Sequence, residues 1–142
     1  MSRMIFVNLP VADLPAAMAF YAGLGFTNEP RFTDETAACM VWSEAIFVML
    51  LTHDKWRTFT TRPIPDTKSS EVMNCLSCDS RDEVNQLADA AAKGGISDVN
   101  PAQDHGFMCS RSFADPDGHV WEVMWMDPAV AGGEAHVSEA AG

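Results

Sequence analysis

The chain has 142 residues, a length typical of one globular domain, and 47% of these residues are hydrophobic. Its 20 acidic and 9 basic residues give a formal net charge of −11. This charge argues against binding to nucleic acid or to an anionic membrane surface, because both need clustered Lys and Arg. The negative charge is compatible with binding of a cationic ligand, although a role in solubility alone also explains it.

The sequence contains no apolar run that approaches the ~20 residues of a membrane span. The apolar stretch over residues 4–7 is short and soon reaches Asn8 and Pro10, which does not resemble a signal peptide. We therefore expect a cytoplasmic protein with reduced cysteines. The CxxC formed by Cys75 and Cys78 is expected to be structural, because residues three apart on a strand face opposite sides.

The first half of the chain predicts a strand, a helix and then several strands. The apolar run over 4–9 predicts the first strand, and Asp13 is placed to cap a helix that ends at Gly23 and Gly25. The segments that follow are strands over 26–32, 37–42 and 46–52 and a long mobile loop over 53–70.

The second half repeats this order, which indicates an internal repeat. A strand over 71–78 precedes a capping box, Ser80 to Glu83, that opens a helix with an apolar stripe. Further strands are predicted over 96–100, 107–113 and 120–126, with a tight turn over 115–118. We divide the chain into a first module with its connecting loop over 1–66, a second module over 67–130 and a disordered tail over 131–142.

Three segments resemble the vicinal-oxygen-chelate superfamily, which includes glyoxalase I, extradiol dioxygenases, fosfomycin-resistance proteins and bleomycin-binding proteins. They cover residues 6–14, 19–26 and 113–123, and the similarity extends over about residues 4–128. The resemblance implies an α+β fold of two βαβββ modules, whose curled mixed sheets surround a cavity and carry their helices on the outer face. It also implies a homodimer.

The resemblance further implies where a metal would bind in members that use one. The matching positions are Phe6 on the first strand, Val48 or Met49 on the fourth, Met73 (or Val72) in the second module, and Glu122 on the last strand. Phe and Val cannot bind a divalent ion and a thioether is a poor ligand for Zn, Ni, Mn or Fe(II), whereas a catalytic site needs about three protein ligands. We therefore expect no metal and no other cofactor, with a site of His105 and Glu122 as the minority alternative.

Glu122 and His105 are the candidate catalytic residues. A carboxylate among apolar side chains loses hydration, which suits a general base or the counter-ion of a cationic ligand. The alternative is that Glu122 pairs with Arg111 on the adjacent strand and performs no chemistry. His105 is either a proton-transfer group at the cavity mouth or a loop residue that caps backbone groups.

Strand alternation and composition indicate the residues that would line the cavity. Trp42 is expected in an aromatic rim with Trp56 and Phe59, although the last two also suit dimer contacts. His53 is expected at the start of the long loop. The complete set of candidate ligand-binding residues is Phe6, Asn8, Trp42, His53, Met73, Arg111 and Met124.

These observations predict a protein similar to glyoxalases and bleomycin-resistance proteins, whose metal-free cavity binds, or transforms, a small organic molecule. Two alternatives stay open. One is a metal-dependent lyase or dioxygenase with a non-standard metal site. The other is a metal-free isomerase that uses Glu122 as its base.

Overall fold

The computed structural model of the protein describes residues 3–131 and confirms the predicted α+β class, with two mixed sheets. The described chain divides into two units. Unit 1 holds residues 3–70 and 115–119, and unit 2 holds residues 71–114 and 120–131. The predicted disordered tail over 131–142 lies outside the described residues except for residue 131.

Unit 1 contains a four-stranded sheet in the order β1-β4-β3-β2, in which β1 runs parallel to β4 and the other pairs are antiparallel. Its elements are β1 (Ile5–Val11), α1 (Leu14–Leu24), β2 (Thr27–Glu29), a 3-10 helix (Pro30–Phe32), β3 (Ala37–Val41), β4 (Ile46–Thr52) and α2 (His53–Phe59).

Helix α1 begins and ends where the sequence predicts. The Asp13 carboxylate accepts a hydrogen bond from the Ala16 amide at 3.0 Å, and Gly25 ends the helix at a φ of 109°. The buried face of α1 packs on β3 and β4. The core of the unit contains Val11, Ala38, Met40, Val48 and Leu50, all fully buried. This packing covers one face of the sheet.

Unit 2 repeats this arrangement with the sheet order β5-β9-β8-β6, and β5 runs parallel to β9. Its elements are β5 (Asn74–Ser77), α3 (Arg81–Ala91), β6 (Ile96–Ser97), β7 (Gln103–Asp104), β8 (Met108–Ala114), β9 (Val120–Met126) and α4 (Pro128–Ala131).

Helix α3 confirms the predicted cap and the predicted apolar stripe. The Ser80 hydroxyl accepts a hydrogen bond from the Glu83 amide at 3.1 Å, and the Glu83 carboxylate accepts one from the Asp79 amide at 2.7 Å. The buried residues of the helix are Val84, Leu87, Ala88 and Ala91. The stripe packs on β8 and β9, so the helix again covers one face of the sheet.

Several predicted elements differ from the structure at their ends. The strand predicted over 26–32 stops at Glu29, because Pro30 opens a turn of 3-10 helix. The strand predicted over 96–100 stops at Ser97, because Asp98 adopts a positive φ of 56°. The strand predicted over 71–78 is limited to β5, and the short polar strand β7 was not predicted.

The prediction of an unstructured loop over 53–70 is wrong in its first part, which forms α2. The Thr52 hydroxyl caps this helix by accepting a hydrogen bond from the Lys55 amide at 3.2 Å. The polar composition of this segment and the prolines that follow it are typical of a loop, so the helix was not predicted from the sequence. None of the helices within residues 3–131 has the length and apolar character needed to cross a lipid bilayer.

Candidate functional site

Glu122 lies in the middle of β9, between β5 and β8. It is paired directly with Cys75 on one side and with Ser112 on the other. Because paired residues on neighbouring strands point to the same face, these three side chains form one row across the sheet. The next row contains Ser77, Met124 and Ser110. We call these six residues the Glu122 face.

The carboxylate of Glu122 is half-buried and forms no hydrogen bond or ion pair with any residue in the described part of the chain. Its neighbour Ser112 is already engaged, since its hydroxyl accepts a hydrogen bond from the Asn100 amide at 2.7 Å and donates one to the Asn100 carbonyl at 3.1 Å. Glu122 therefore presents a carboxylate without a protein partner among the described residues, at the centre of a sheet face.

Cys75 is an exposed residue, yet the packing around its sulfur and the negative charge of Glu122 raise the pKa of its thiol to about 11. Burial likewise raises the pKa of Cys78 to about 12, with Glu83 adding to the effect. Both thiols are thus protonated at neutral pH. Because the thiolate is the reactive form, neither is an activated nucleophile.

Arg111 does not lie beside Glu122. The prediction that Arg111 lines the cavity near Glu122 was therefore wrong, and so was the alternative in which the two residues form an ion pair. The register sets Arg111 opposite Val123, and alternation turns its side chain to the other face of β8. Its guanidinium binds the Asp98 carboxylate at 2.8 and 3.0 Å and the Asp89 carboxylate at 3.0 Å. Arg111 therefore ties β8 to α3 and to the segment after β6.

His105 lies in an exposed loop between β7 and β8. Its Nε2 is 3.3 Å from the Gln103 side-chain oxygen, and its ring stacks on Phe107 with centroids 6.3 Å apart. Arg81 holds this loop by bonding both oxygens of Asp104 at 2.8 and 3.1 Å. Its guanidinium also bonds the Gly106 carbonyl at 2.6 Å. The proton-transfer role of His105 stays a prediction.

Met73 lies just before β5 and is 54% exposed. Its sulfur accepts a hydrogen bond from the Asn100 side-chain amide at 3.5 Å. The residue that the register places beside Glu122 is Cys75, two positions further along the chain. Met73 and Met124 stay candidate ligand contacts of unit 2.

In unit 1 the helix-free face carries Phe6 and Asn8. The Phe6 ring stacks on Phe47 at a centroid distance of 4.6 Å and is 50% exposed. Asn8 is exposed and lies opposite Met49, which is in turn opposite Cys39. These apolar and amide side chains leave a partly exposed surface, and a ligand-binding role for Phe6 and Asn8 stays a prediction.

Trp42 does not lie on the helix-free face that carries Phe6, which contradicts its predicted place among the residues that line the cavity. Its ring packs on Phe26 at a centroid distance of 4.8 Å, beside Gly25 at the end of α1. The reason is alternation, since Val41 pairs with Phe47 and the next residue points to the opposite face. The other two aromatics of the predicted rim, Trp56 and Phe59, lie on α2.

His53 is the first residue of α2 and lines a small cleft in unit 1 with a volume of about 90 Å³. The lining residues are Pro10, Ala12, His53, Ile64, Pro65, Asp66, Thr67, Ser69, Asp117, Gly118 and His119. Sequence analysis assigned no role to His119, whose Nε2 donates a hydrogen bond to the Pro10 carbonyl at 2.7 Å. No spacing in the sequence connects the 64–69 segment with the turn at 115–119.

The residues at the family's metal positions do not fit a metal. Phe6 and Met49 offer no suitable donor in unit 1, and Glu122 and Cys75 in unit 2 make only two donors, fewer than the three protein ligands of a catalytic site. Within residues 3–131, no three His, Cys, Asp or Glu side chains are arranged to hold one ion. No chemical step is therefore assigned to a metal.

The sequence matches a family model described as the Glyoxalase/Bleomycin resistance protein/Dioxygenase superfamily over residues 3–123. No curated protein matches the sequence.

Solved structures with a similar fold include a hypothetical protein, SA1046 from S. aureus, at 24% identity and a TM-score of 0.72, covering 88% of this chain and 95% of that one. A glyoxalase/bleomycin resistance protein/dioxygenase family enzyme from Burkholderia phytofirmans PsJN has 16% identity and a TM-score of 0.75, covering 88% and 99%. The antibiotic binding protein TnmS3 from Streptomyces sp. CB03234 has 19% identity and a TM-score of 0.61, covering 89% and 97%.

Proposed function

This chain belongs to the glyoxalase/bleomycin resistance protein/dioxygenase superfamily, and from that membership we propose that it binds a small organic molecule whose polar or cationic group contacts Glu122. The ligand binds without a metal. The remainder of the ligand packs on the Met124 side chain, beside the serines of the Glu122 face.

The observation that carries this proposal is that the Glu122 carboxylate has no hydrogen-bond or ion-pair partner among the described residues. A ligand donor that reaches it forms a charge-assisted hydrogen bond, which is stronger than a bond between neutral groups. Within the described residues, neither Cys75 nor Ser112 donates a hydrogen bond to Glu122. The Ser112 hydroxyl donates to the Asn100 carbonyl instead. A ligand with an N–H group or a positive charge therefore fits this position.

The surroundings of Glu122 favour binding of an irregular apolar body. Met124 is half-buried on the same face, and a thioether chain adapts its shape to different ligands. The net charge of −11 raises the local concentration of cations around the protein. Binding of an organic molecule also has a precedent on this fold, because one structural relative is described as an antibiotic binding protein.

The proposal is tested with matched pairs of planar aromatic compounds that differ only in whether they carry an ammonium group or a neutral hydroxyl group. Thermal shift ranks the pairs, and calorimetry measures the affinity of the best ammonium compound. We expect Glu122→Gln to weaken this compound about tenfold or more, because a charge-assisted hydrogen bond is lost, and to leave its neutral analogue nearly unchanged.

Glu44→Gln is the matched control, because Glu44 is an exposed residue of the β3–β4 turn in unit 1. Equal affinities of the ammonium compound for Glu122→Gln, Glu44→Gln and the unaltered protein would exclude Glu122 as the anchor. Equal shifts of the melting temperature for every compound would exclude a defined binding site.

The unpaired carboxylate of Glu122 also suits a general base, which supports the metal-free isomerase as a second candidate. The two candidates differ in turnover. A binding protein returns its ligand unchanged, whereas an isomerase converts it, and Glu122→Gln then abolishes conversion while part of the binding survives. Residues 3–131 contain no three His, Cys, Asp or Glu side chains that could serve as the donor set of the metal-dependent alternative. The homodimer and the cytoplasmic location stay predictions, and light scattering tests the first.

A further inference from the structure

The Glu122 face is bordered at one end by residues 98–100, the segment that follows β6, which we call the strap. We propose that Asn100 of the strap and Met73, which it contacts, determine which ligands the Glu122 face accepts. They admit a ligand whose cationic group is at its end and exclude one that carries bulk on both sides of the cation. This inference rests on the proposed function, because it concerns the ligand of the same face.

The strap is anchored on the side chain of Ser112, which is only 2% exposed. The Ser112 hydroxyl accepts a hydrogen bond from the Asn100 amide at 2.7 Å and donates one to the Asn100 carbonyl at 3.1 Å. The Ser112 carbonyl accepts a further bond from the Asp98 amide at 2.6 Å. Because the register turns the Ser112 side chain to the same face as Glu122, the backbone of Asn100 lies on the Glu122 side of the sheet.

Asp98 fixes the start of the strap. Its φ of 56° turns the chain out of β6. Its carboxylate is bound by the Arg111 guanidinium at 2.8 and 3.0 Å. The strap is thus held by Arg111 on one face of β8 and by Ser112 on the other, so it is in place before a ligand arrives.

The side chain of Asn100 spans the sheet from the strap to Met73. Its Nδ2 donates a hydrogen bond to the Met73 sulfur at 3.5 Å. Asn100 is anchored on β8, whereas Met73 lies one residue before the pairing of β5 with β9 begins, and β9 is between those two strands. The contact therefore crosses β9 close to Val120. Val120 is buried, whereas Glu122 and Met124 further along the same side of β9 are half-buried.

This contact limits the direction in which a ligand can extend from Glu122. Val120 and Glu122 are two residues apart, which is roughly 7 Å along a strand. A substituent that points from the bound cation toward Val120 meets the Asn100–Met73 contact. In the opposite direction Met124 is half-buried and offers apolar surface. The ligand should therefore place its cation at one end and its body along β9 toward Met124.

The test compares two secondary ammonium compounds, N-methyl- and N-butyl-2-naphthylmethylammonium. They have the same charge, the same aromatic body and the same number of N–H donors, and they differ only in the length of the second substituent. Calorimetry with the full chain measures both affinities. We expect the N-methyl compound to bind about tenfold more tightly. Without a barrier the order would reverse, because three additional methylene groups strengthen apolar binding. Equal or tighter binding of the N-butyl compound would overturn the inference.

Asn100→Ala and Met73→Ala each remove the contact that crosses β9. Asn100→Ala keeps the backbone bonds to Ser112, and Met73 is 54% exposed, so both variants should fold. Each should reduce the tenfold preference to about threefold or less, through tighter binding of the N-butyl compound. Asn74→Ala is the matched control, because Asn74 follows Met73 directly but pairs with Trp121, which points to the opposite face. A preference that stays tenfold in both Asn100→Ala and Met73→Ala would refute the assigned role.

Glu122→Gln separates this inference from the proposed function. It should weaken both compounds about tenfold and leave the ratio of their affinities unchanged. If Glu122→Gln alters neither affinity, the proposed function fails and this inference fails with it. If Glu122→Gln weakens both compounds but the length of the substituent has no effect, only the specificity assigned to Asn100 and Met73 is refuted.

Discussion

Cys75 and Glu122 lie opposite each other in the parallel pairing of β5 with β9. Packing around the sulfur raises the pKa of the Cys75 thiol to about 11, and the Glu122 charge adds to this effect. Because the thiol reports on the charge of its neighbour, Cys75 serves as a probe of Glu122 before any ligand is known.

Glu122→Gln is expected to lower the pKa of Cys75, since removal of a negative charge favours the thiolate, while burial keeps it above the ordinary value. Cys75 should therefore react faster with iodoacetamide at about pH 9, because the thiolate is the nucleophile. Peptide mass spectrometry of alkylated samples measures the rate at each cysteine. Glu44→Gln should leave the rate at Cys75 unchanged. Identical rates at Cys75 in the protein and in Glu122→Gln would contradict the coupling.

Arg111→Met is expected to lower the free energy of unfolding by about 1 kcal/mol, because the guanidinium bonds Asp98 and Asp89 but both carboxylates are substantially exposed to water. Urea unfolding measures the change. Arg57→Met is the matched control, since its pair with Asp54 is at the surface and should contribute nothing measurable. An equal loss of unfolding free energy in Arg111→Met and Arg57→Met would contradict a stabilising role of the Arg111 ion pairs.

The contribution of Arg111 to the free energy of unfolding should also decrease at low pH. The hydrogen bond from Arg111 holds the pKa of Asp98 below its ordinary value of 3.8. A carboxyl with a lowered pKa in the folded state stabilises the fold above its unfolded pKa and loses this contribution as the pH falls. The stability difference between the protein and Arg111→Met should thus shrink below pH 3.8, and a constant difference would contradict the assignment.

Tyr21→Phe is expected to destabilise unit 1 by about 2 kcal/mol, because it removes the hydroxyl that donates to the buried Asp115 carboxylate at 2.6 Å. Burial raises the pKa of Asp115, and the Tyr21 hydrogen bond opposes that rise. Without this hydrogen bond the ionised form of Asp115 is less stable in the folded protein. The loss of unfolding free energy in Tyr21→Phe should therefore grow as the pH rises through the titration of Asp115. Urea unfolding at several pH values measures this. A deficit that falls with rising pH would contradict the assigned role.

Gly118→Ala and Gly106→Ala form a matched pair that separates backbone strain from collision. Both glycines have a positive φ, 84° and 82°, and each substitution should cost about 1 kcal/mol for that reason. Gly106 faces open space, whereas a Cβ at Gly118 meets the Thr67 backbone. Gly118→Ala should therefore be clearly more destabilising in thermal unfolding and should shift the NMR signals of residues 64–69. Equal losses in the two variants would contradict the close packing.

Metal loading gives a further expected outcome. After exposure to Zn, Ni, Mn and Fe(II) and dialysis without chelator, elemental analysis should find no near-stoichiometric metal, because Phe6 and Met49 offer no suitable donor and Cys75 with Glu122 makes only two. Chelator-treated protein is the reference. Retention of about one ion per chain would contradict the ligand argument and would restore the lyase and dioxygenase alternatives.

Part of the Glu122 face could be predicted from the chain alone. Alternation along 120–126 puts Glu122 and Met124 on one side of the strand. It does not determine which residue of the next strand lies opposite, because that depends on register. The register sets Ser112, not Arg111, beside Glu122. It also places Cys75 at the position where Met73 was expected to line the site.

Local spacing and short motifs predict the repeated order of elements, both helix caps and the family. Three features appear only in the folded chain: the partners of Arg111, the inward packing of Trp42 and the cleft around His53. Each of these depends on contacts between residues far apart in the chain, such as Asp117 with Ala12. Such contacts are fixed by strand register and loop packing, which leave no periodic signal in the sequence.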